Sequence, residues 1–166
     1  MRELKRAVPA EEKLRRSTEI MQAVEQTDAF RKAQVVLLYW SMADEVQTHD
    51  FVERWYRRKT VLLPCVDGER LLLRQYTGPD CMVQGEQFGI EEPMGDVWAA
   101  PVDLIVVPGV AFDYTGNRMG RGRGFYDRML KAHPHAVKIG VAYGFQVLDE
   151  IPVEPHDVTM DMIIHD

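Results

Sequence analysis

Residues 35–64 read VVLLYWSMADEVQTHDFVERWYRRKTVLLP, and this stretch decides the fold. The apolar, β-branched run at 35–40 is typical of a strand covered on both faces, and residues 60–64 form a second such run. Between them Thr48 is placed to cap a helix, and one apolar face follows it: Phe51, Val52, Trp55 and Tyr56. A strand, a helix of about ten residues and a second strand make a βαβ unit, so we expect two parallel strands.

The rest of the chain extends this pattern outward. Pro9 and the two acids that follow it mark the start of a helix predicted over residues 10–27. Apolar runs and turn signals predict the remaining elements: strands at 71–76, 104–107, 137–142 and 162–164, a helix at 125–131 and a long loop at 77–101. The strand at 71–76 is a candidate edge strand. The predicted fold class is α/β, a three-layer single domain over residues 1–166 with a mostly parallel central sheet and helices on both faces.

Composition narrows the functional classes. The 166 residues include 20 Lys and Arg against 26 Asp and Glu, a net charge of -6, which is not the charge of a general nucleic-acid binder. No apolar run approaches the roughly 18–20 residues needed to cross a bilayer, and no signal peptide precedes the first helix. Cys65 and Cys81 are too few for a disulfide framework. We therefore expect a soluble, cytoplasmic protein with no membrane or nucleic-acid partner.

The loop after the strand at 104–107 is the strongest candidate for chemistry. Residues 118–128 hold four arginines and three glycines next to the start of a helix. Glycines let backbone N–H groups approach a ligand, a helix N-terminus favours anions, and arginine suits phosphate or carboxylate. The pattern is neither a Walker loop nor a Rossmann fingerprint. Two other interpretations stay open: solvated arginines on a flexible loop, and an RNA-binding segment at 121–126.

Three carboxylates lie where they could assist such a site. Asp127 falls on the first turn of the helix and could hold a magnesium ion that bridges phosphates, with Asp157 as a second candidate ligand. Glu45 follows the first strand and could bind an amide or amino-pyrimidine edge, with Trp40 as an apolar flank. Each of the three could instead be an ordinary turn or cap residue. The five histidines form no convincing zinc or nucleophile–base set.

Two segments together resemble a known family signature. Residues 103–113 read DLIVVPGVAFD and residues 116–127 read GNRMGRGRGFYD. With SMADEVQT at 41–48, GFQ at 144–146 and PVEPHD at 152–157, they resemble the 5-formyltetrahydrofolate cyclo-ligase family over nearly the whole chain. The resemblance implies an enzyme that uses ATP and Mg²⁺ to convert 5-formyltetrahydrofolate to 5,10-methenyltetrahydrofolate, with release of ADP and phosphate. In the reaction that the resemblance implies, the formyl oxygen would be phosphorylated and N10 would then close the ring as phosphate leaves.

The resemblance also implies roles for individual residues. ATP would be bound by Arg118, Met119, Gly120, Arg121, Gly122, Arg123, Gly124, Phe125 and Tyr126, among which Arg121, Arg123 and Tyr126 would be catalytic. The folate would contact Trp40, Glu45, Phe88 and Phe125. Asp127 and Asp157 would bind magnesium. The partner would be a small-molecule substrate, and the protein a monomer or a weak dimer.

The N-terminus departs from the family pattern. Family members usually begin with a basic Lys-x-x-x-Arg segment that touches ATP, whereas the stretch before Pro9 is short in this chain. Arg2 and Arg6 imitate that spacing, so we expect them to contact ATP, and Arg2, Lys5 and Arg6 together could substitute for the basic segment. The alternative interpretation is a turnover-deficient homologue that binds nucleotide or folate.

Overall fold

Three helices precede the first strand in the computed structural model, which describes residues 1–85 and 89–166. They are α1 (Arg2–Ala7), α2 (Ala10–Glu25) and α3 (Asp28–Lys32). The helix predicted at 10–27 is confirmed except at its end, where the Thr27 hydroxyl accepts a hydrogen bond from the Phe30 N–H and caps α3. The sequence pattern does not predict α1, because six residues are too few to show a helical period.

The predicted βαβ unit follows these helices. It consists of β1 (Val35–Leu37), α4 (His49–Trp55) and β2 (Thr60–Asp67). The two strands are parallel, with Val36 opposite Val61. The unit that decides the fold is therefore present as predicted, although β1 is three residues shorter than the run at 35–40.

Side-chain hydrogen bonds close the loop that follows β1, and they show why the cap prediction is wrong. The hydroxyl of Tyr39 donates to the Val46 carbonyl at 2.8 Å. The Thr48 side chain does not cap α4. Its hydroxyl donates to the Tyr39 carbonyl and accepts from the Ser41 N–H instead. Thr48 thus closes the loop at 41–47 rather than the helix.

The predicted loop at 77–101 contains regular structure. After β3 (Arg70–Gln75), a short 3₁₀ turn leads into an antiparallel hairpin of β4 (Met82–Gln84) and β5 (Glu91–Pro93). Strands of three residues are too short to show a period of two, so the prediction of a loop is wrong there. Phe88, predicted to contact the folate, lies outside the described residues.

The second half of the chain alternates short strands with one helix. Its elements are β6 (Leu104–Val107), β7 (Ala111–Asp113), β8 (Arg118–Met119), α5 (Phe125–Ala132), β9 (Val137–Ala142), β10 (Val147–Leu148) and β11 (Met162–His165). β7 pairs with β8 as an antiparallel hairpin and with β10 in parallel. The β7–β8 hairpin of this small sheet lies inside the segment that the sequence presents as a glycine-rich loop, and β8 carries Arg118.

The central sheet has six strands in the order β11-β9-β6-β1-β2-β3. Every neighbouring pair is parallel except β2 and β3, which are joined as an antiparallel hairpin. β3 lies at the edge, as predicted. Parallel strands end at the same edge of a sheet, so the loops after β1, β6 and β9 meet there.

Two cores cover the two faces of the sheet. Along β6, Leu104 and Val106 pack with the side chains of α2, α3 and α4, whereas Ile105 and Val107 pack with those of α5. This alternation is the period-two pattern of a strand buried on both sides. The prediction of three layers with helices on both faces is confirmed. None of the described helices is long and apolar enough to span a membrane.

Candidate active site

A cavity of about 400 Å³ opens at the sheet edge where β1 and β6 end. All residues from 118 to 127 line it, and the loop after β1 forms the facing wall. The β2–β3 hairpin and the residue before β5 add four apolar residues to its lining: Pro64, Val66, Leu71 and Ile90. The sequence analysis did not single out these four residues, because apolar side chains on strands are indistinguishable from core.

The glycine–arginine loop forms one wall of the cavity. Gly122 and Gly124 have positive φ angles of 96° and 69°, and Gly124 is the N-cap of α5. The positive φ angle at Gly124 lies in the region that favours glycine. The first N–H groups of α5 therefore face a site lined by Arg121 and Arg123. This wall is suited to an anion.

Arg118 is the most constrained cation of this wall. Its Nε donates to the Pro108 carbonyl at 2.6 Å, and its guanidinium carbon lies 4.9 Å from the centroid of the Tyr126 ring. Burial lowers the pKa of Arg118, and the acidic groups of Asp127 and Glu45 oppose that shift. Burial raises the pKa of Tyr126, so its hydroxyl stays protonated and can donate a hydrogen bond.

The facing wall presents Glu45 and Trp40. Glu45 Oε1 accepts a hydrogen bond from the Met42 N–H at 2.8 Å. Burial raises the pKa of the Glu45 carboxyl, while this hydrogen bond and the positive charge of Arg121 lower it. The Trp40 ring stacks on His49 at a centroid distance of 3.7 Å, which holds the indole against the cavity. The structure thus brings the predicted substrate residues Trp40, Glu45 and Phe125 to one cavity.

The three N-terminal cations of α1 differ in burial, and none of them is among the residues that line the cavity. The side chains of Arg2 and Arg6 are exposed, and their contact with ATP stays a prediction. Lys5 is only 4% exposed, and its Nζ lies 3.7 Å from Asp44 Oδ2. Arg121 Nη2 lies 3.4 Å from the other oxygen of Asp44. Burial lowers the pKa of Lys5, while Asp44 raises it.

The two predicted magnesium ligands both line the cavity. Asp127 is on the first turn of α5 and has no hydrogen-bond or ion-pair partner within residues 1–85 and 89–166. Asp157 Oδ2 accepts a hydrogen bond from the Glu154 N–H at 2.8 Å, and Oδ1 lies 3.7 Å from His156 Nε2. Within the described parts of the chain, no group of three or more His, Cys, Asp or Glu side chains is arranged to hold a metal ion.

Comparison with known proteins identifies the family. The sequence model of the 5-formyltetrahydrofolate cyclo-ligase family matches residues 1–166. The chain belongs to this family. A 5-formyltetrahydrofolate cyclo-ligase of Haemophilus influenzae is 35% identical over 140 residues, which cover 78% of this chain and 74% of that protein. One from Mus musculus is 29% identical over 180 residues, covering 97% of this chain and 87% of the mouse protein.

Solved structures agree with the cyclo-ligase assignment. The NMR structure of Aquifex aeolicus 5,10-methenyltetrahydrofolate synthetase has a TM-score of 0.87 and 35% identity, over 98% of this chain and 84% of that one. A 5,10-methenyltetrahydrofolate synthetase from Mycoplasma pneumoniae shares the fold with a TM-score of 0.76 at 23% identity, over 98% of this chain and 92% of that one. The family predicted from the glycine–arginine motif is confirmed, and so is the prediction of an enzyme. The roles of the individual residues in this cyclo-ligase stay predictions.

Proposed function

We propose that this cyclo-ligase converts 5-formyltetrahydrofolate to 5,10-methenyltetrahydrofolate in a reaction driven by MgATP, with release of ADP and phosphate. One observation carries the proposal: a single cavity joins an anion-binding wall, residues 118–127, to a wall that presents Glu45 and Trp40. The names of the family relatives, which are cyclo-ligases and methenyltetrahydrofolate synthetases, support the same reaction.

The anion-binding wall would hold the nucleotide. Arg121 and Arg123 offer planar donors to phosphate oxygens, and the N–H groups at the start of α5 add uncharged donors. Of the three N-terminal cations, Lys5 is the one that would lie nearest the nucleotide, because its ammonium group and Arg121 share Asp44 as a partner. A triphosphate in this wall would meet cations from two distant parts of the chain.

Asp127 and Asp157 would hold the magnesium ion. Mg²⁺ usually takes one or two protein carboxylates and completes its shell with water and phosphate oxygens. The cavity offers such a sparse donor set, with the carboxylate of Asp127 without a protein partner among the described residues. Bound MgATP supplies the phosphoryl group that activates the formyl oxygen, and this group leaves as phosphate when N10 closes the ring.

The facing wall would hold the pterin part of the folate. An amino-pyrimidine edge presents N–H donors, and the half-buried Glu45 carboxylate can accept hydrogen bonds from them. The hydrogen bond from the Met42 N–H to Oε1 orients this carboxylate. The Gln47 amide donates to the carbonyls of Met42 and Glu45 at 2.9 and 2.8 Å. This loop is therefore preorganised by its own hydrogen bonds, and Trp40 and Phe125 supply flat apolar contacts.

The reaction requires the protein to position the substrates and to supply positive charge, and it requires no protein base. Negative charge spreads over the phosphoryl oxygens as the group is transferred, and fixed cations stabilise it. Arg121 and Arg123 are the proposed catalytic cations, and the protonated hydroxyl of Tyr126 is the proposed neutral donor. No proton must leave the formyl group before its oxygen reacts.

The testing experiment mixes the purified protein with 5-formyltetrahydrofolate, ATP and Mg²⁺ and follows the ultraviolet absorbance of the methenyl product. Parallel reactions omit ATP or Mg²⁺. We expect product only when both are present. Binding of folate or ATP with no product would overturn the proposal and support the turnover-deficient homologue.

A further inference from the structure

Asp113 is a buried carboxylate just outside the cavity, and its charge is unused by the reaction as described. It is the last residue of β7, and its side chain is 2% exposed. Oδ1 accepts hydrogen bonds from the Thr115 N–H (3.1 Å), the Thr115 hydroxyl (2.8 Å) and the Asn117 N–H (3.0 Å). Oδ2 accepts from Asn117 Nδ2 (2.9 Å) and from the Ile151 N–H (3.3 Å). Five donors from three residues converge on one side chain.

These bonds first shape the turn that leads to Arg118. The turn between β7 and β8 spans residues 114–117, and the Asp113 N–H also donates to the Asn117 carbonyl at 3.1 Å. Arg118 is the next residue, so the turn sets the direction in which its side chain leaves the backbone. Any Cβ at Gly116 would lie 2.6 Å from the Met160 carbonyl oxygen, so the turn packs closely on the segment that follows β10.

The same bonds also hold the opposite part of the anion-binding site. Residues 151–160 include Glu154, His156 and Asp157, which line the cavity. This segment is attached to the turn at both ends: the Ile151 N–H donates to Asp113 Oδ2, and the Met160 N–H donates to the Gly116 carbonyl at 2.7 Å. Regular structure is absent from the described residues between these two attachments.

We propose that Asp113 is a positioning residue that sets the distance between Arg118 and Asp157 in the MgATP subsite. The inference rests on the proposed function, because it assigns nucleotide and metal to that subsite. Asp113 itself touches neither ligand. It acts through the turn at 114–117 on one side and through Ile151 on the other.

Asp113→Asn separates this role from general folding. The amide carries one oxygen and one NH₂ group, and the oxygen is best used at the Oδ1 position, where three donors converge. The NH₂ group then faces the donors of Asn117 Nδ2 and Ile151 N–H. The turn keeps its three bonds to the Oδ1 position, while the bond from Asn117 Nδ2 and the link to the segment at 151–160 are broken.

Asp103→Asn is the matched control. Asp103 Oδ2 also accepts two backbone hydrogen bonds, from the N–H groups of Gln34 at 3.0 Å and Val35 at 2.9 Å. It stands just before β6, at the opposite end of the strands from the cavity. Each substitution removes an acceptor of backbone N–H groups, but only Asp113 lies beside the cavity.

The experiment measures KM for ATP, KM for 5-formyltetrahydrofolate, and binding of a non-hydrolysable ATP analogue with Mg²⁺, in wild type and both variants. For Asp113→Asn we expect KM for ATP and the analogue Kd to rise by about 10-fold or more, as is typical when a supporting hydrogen bond of a site is lost. KM for the folate stays unchanged, because Glu45 and Trp40 are held by the other wall. Asp103→Asn keeps wild-type values.

Equal behaviour of the two variants, or an equal rise of both KM values in Asp113→Asn, would overturn the positioning role. If Asp113→Asn does not fold, Asn117→Ala removes one bond to Oδ2, and a selective rise of KM for ATP is again required. A wild-type protein that neither turns over nor binds the analogue would instead contradict the proposed function itself.

Discussion

At the scale of single residues, Arg123 is an exposed arginine whose side chain lines the cavity. Its guanidinium carbon lies 5.1 Å from the centroid of the Phe125 ring, and its side chain lines the cavity. Arg57 offers the same arrangement elsewhere, 5.3 Å from the centroid of Tyr56 and outside the cavity lining. Both arginines therefore lie over an aromatic ring, but only Arg123 lines the cavity.

Arg123→Ala should weaken ATP binding and leave the fold intact. Loss of a charge-assisted hydrogen bond costs about 1.5–3 kcal/mol, or roughly a tenfold or larger rise in Kd. Calorimetric titration with a non-hydrolysable ATP analogue measures the change, and urea unfolding checks stability. Arg57→Ala is the control and should bind like wild type. Unchanged affinity in Arg123→Ala would remove it from the ATP site.

Asp127→Asn tests the metal role of the first turn of α5. Removing one negative charge from a sparse donor set weakens Mg²⁺ binding, so turnover should fall most at low Mg²⁺ and recover in part at high Mg²⁺. A Mg²⁺ titration of the initial rate measures this shift. Asp28→Asn, an exposed acid on the first turn of α3, is the control. A wild-type Mg²⁺ dependence in Asp127→Asn would exclude Asp127 as a ligand.

At the scale of elements, the three cations of α1 differ in exposure. The helix has six residues, and Lys5 is its one buried position, while Arg2 and Arg6 are exposed. Residues three or four apart share a helix face, so Arg2 lies on the same side as both Lys5 and Arg6, and the spacing alone does not show which cation is buried. The contact of Lys5 with Asp44, in the loop after β1, decides this.

Lys5→Met should lower ATP affinity without lowering stability. Methionine fills the buried volume, and Asp44 keeps Arg121 as a partner at 3.4 Å, so no unpaired buried charge results. Analogue binding and urea unfolding report the two properties separately. Arg6→Met, which changes an exposed residue of the same helix, should leave both at wild-type values. Wild-type ATP affinity in Lys5→Met would show that Lys5 is only a structural partner of Asp44.

At the scale of the whole molecule, buried carboxylates tie the stability of the fold to pH. Burial alone raises the pKa of the Asp113 carboxyl, but hydrogen bonds from Asn117, Thr115 and Ile151 outweigh it and lower this pKa to about 2. An unfolded Asp titrates near pKa ~3.9. The folded state therefore binds this proton less tightly than the unfolded state does. The Asp113 carboxylate stabilises the fold fully above pH ~3.9, and this stabilisation is lost as the pH falls toward 2.

The wild-type protein should lose about 2–3 kcal/mol of its free energy of unfolding through Asp113 as the pH falls from 5 to 2. Asp113→Asn cannot titrate at this position, so its free energy of unfolding should fall less over the same range. Urea unfolding at pH 5, 3 and 2 compares the two proteins. Parallel losses in both would show that this carboxylate does not carry the acid sensitivity.

Sequence reasoning found the main elements and most of the site, because both depend on local patterns. The apolar run of β6 and the apolar face of α4 show, over a few consecutive residues, which side chains are buried. The parallel pairing of β1 and β2 follows from the βαβ order. Residues 118–127, with Glu45, are recognisable by type and spacing. All of them line the cavity because loops that follow parallel strands meet at one edge of the sheet.

The tertiary structure alone decided which residues support that site. Asp113 contacts Ile151, which is 38 positions away in the chain, and Lys5 of α1 contacts Asp44 in the loop after β1. β7 pairs with β10 although strands of two or three residues leave no periodic signal. Such contacts depend on the folded path of the chain. The sequence by itself therefore determined the fold class, the family and the glycine–arginine loop, whereas packing between distant segments decided how that loop is held and which N-terminal cation is buried.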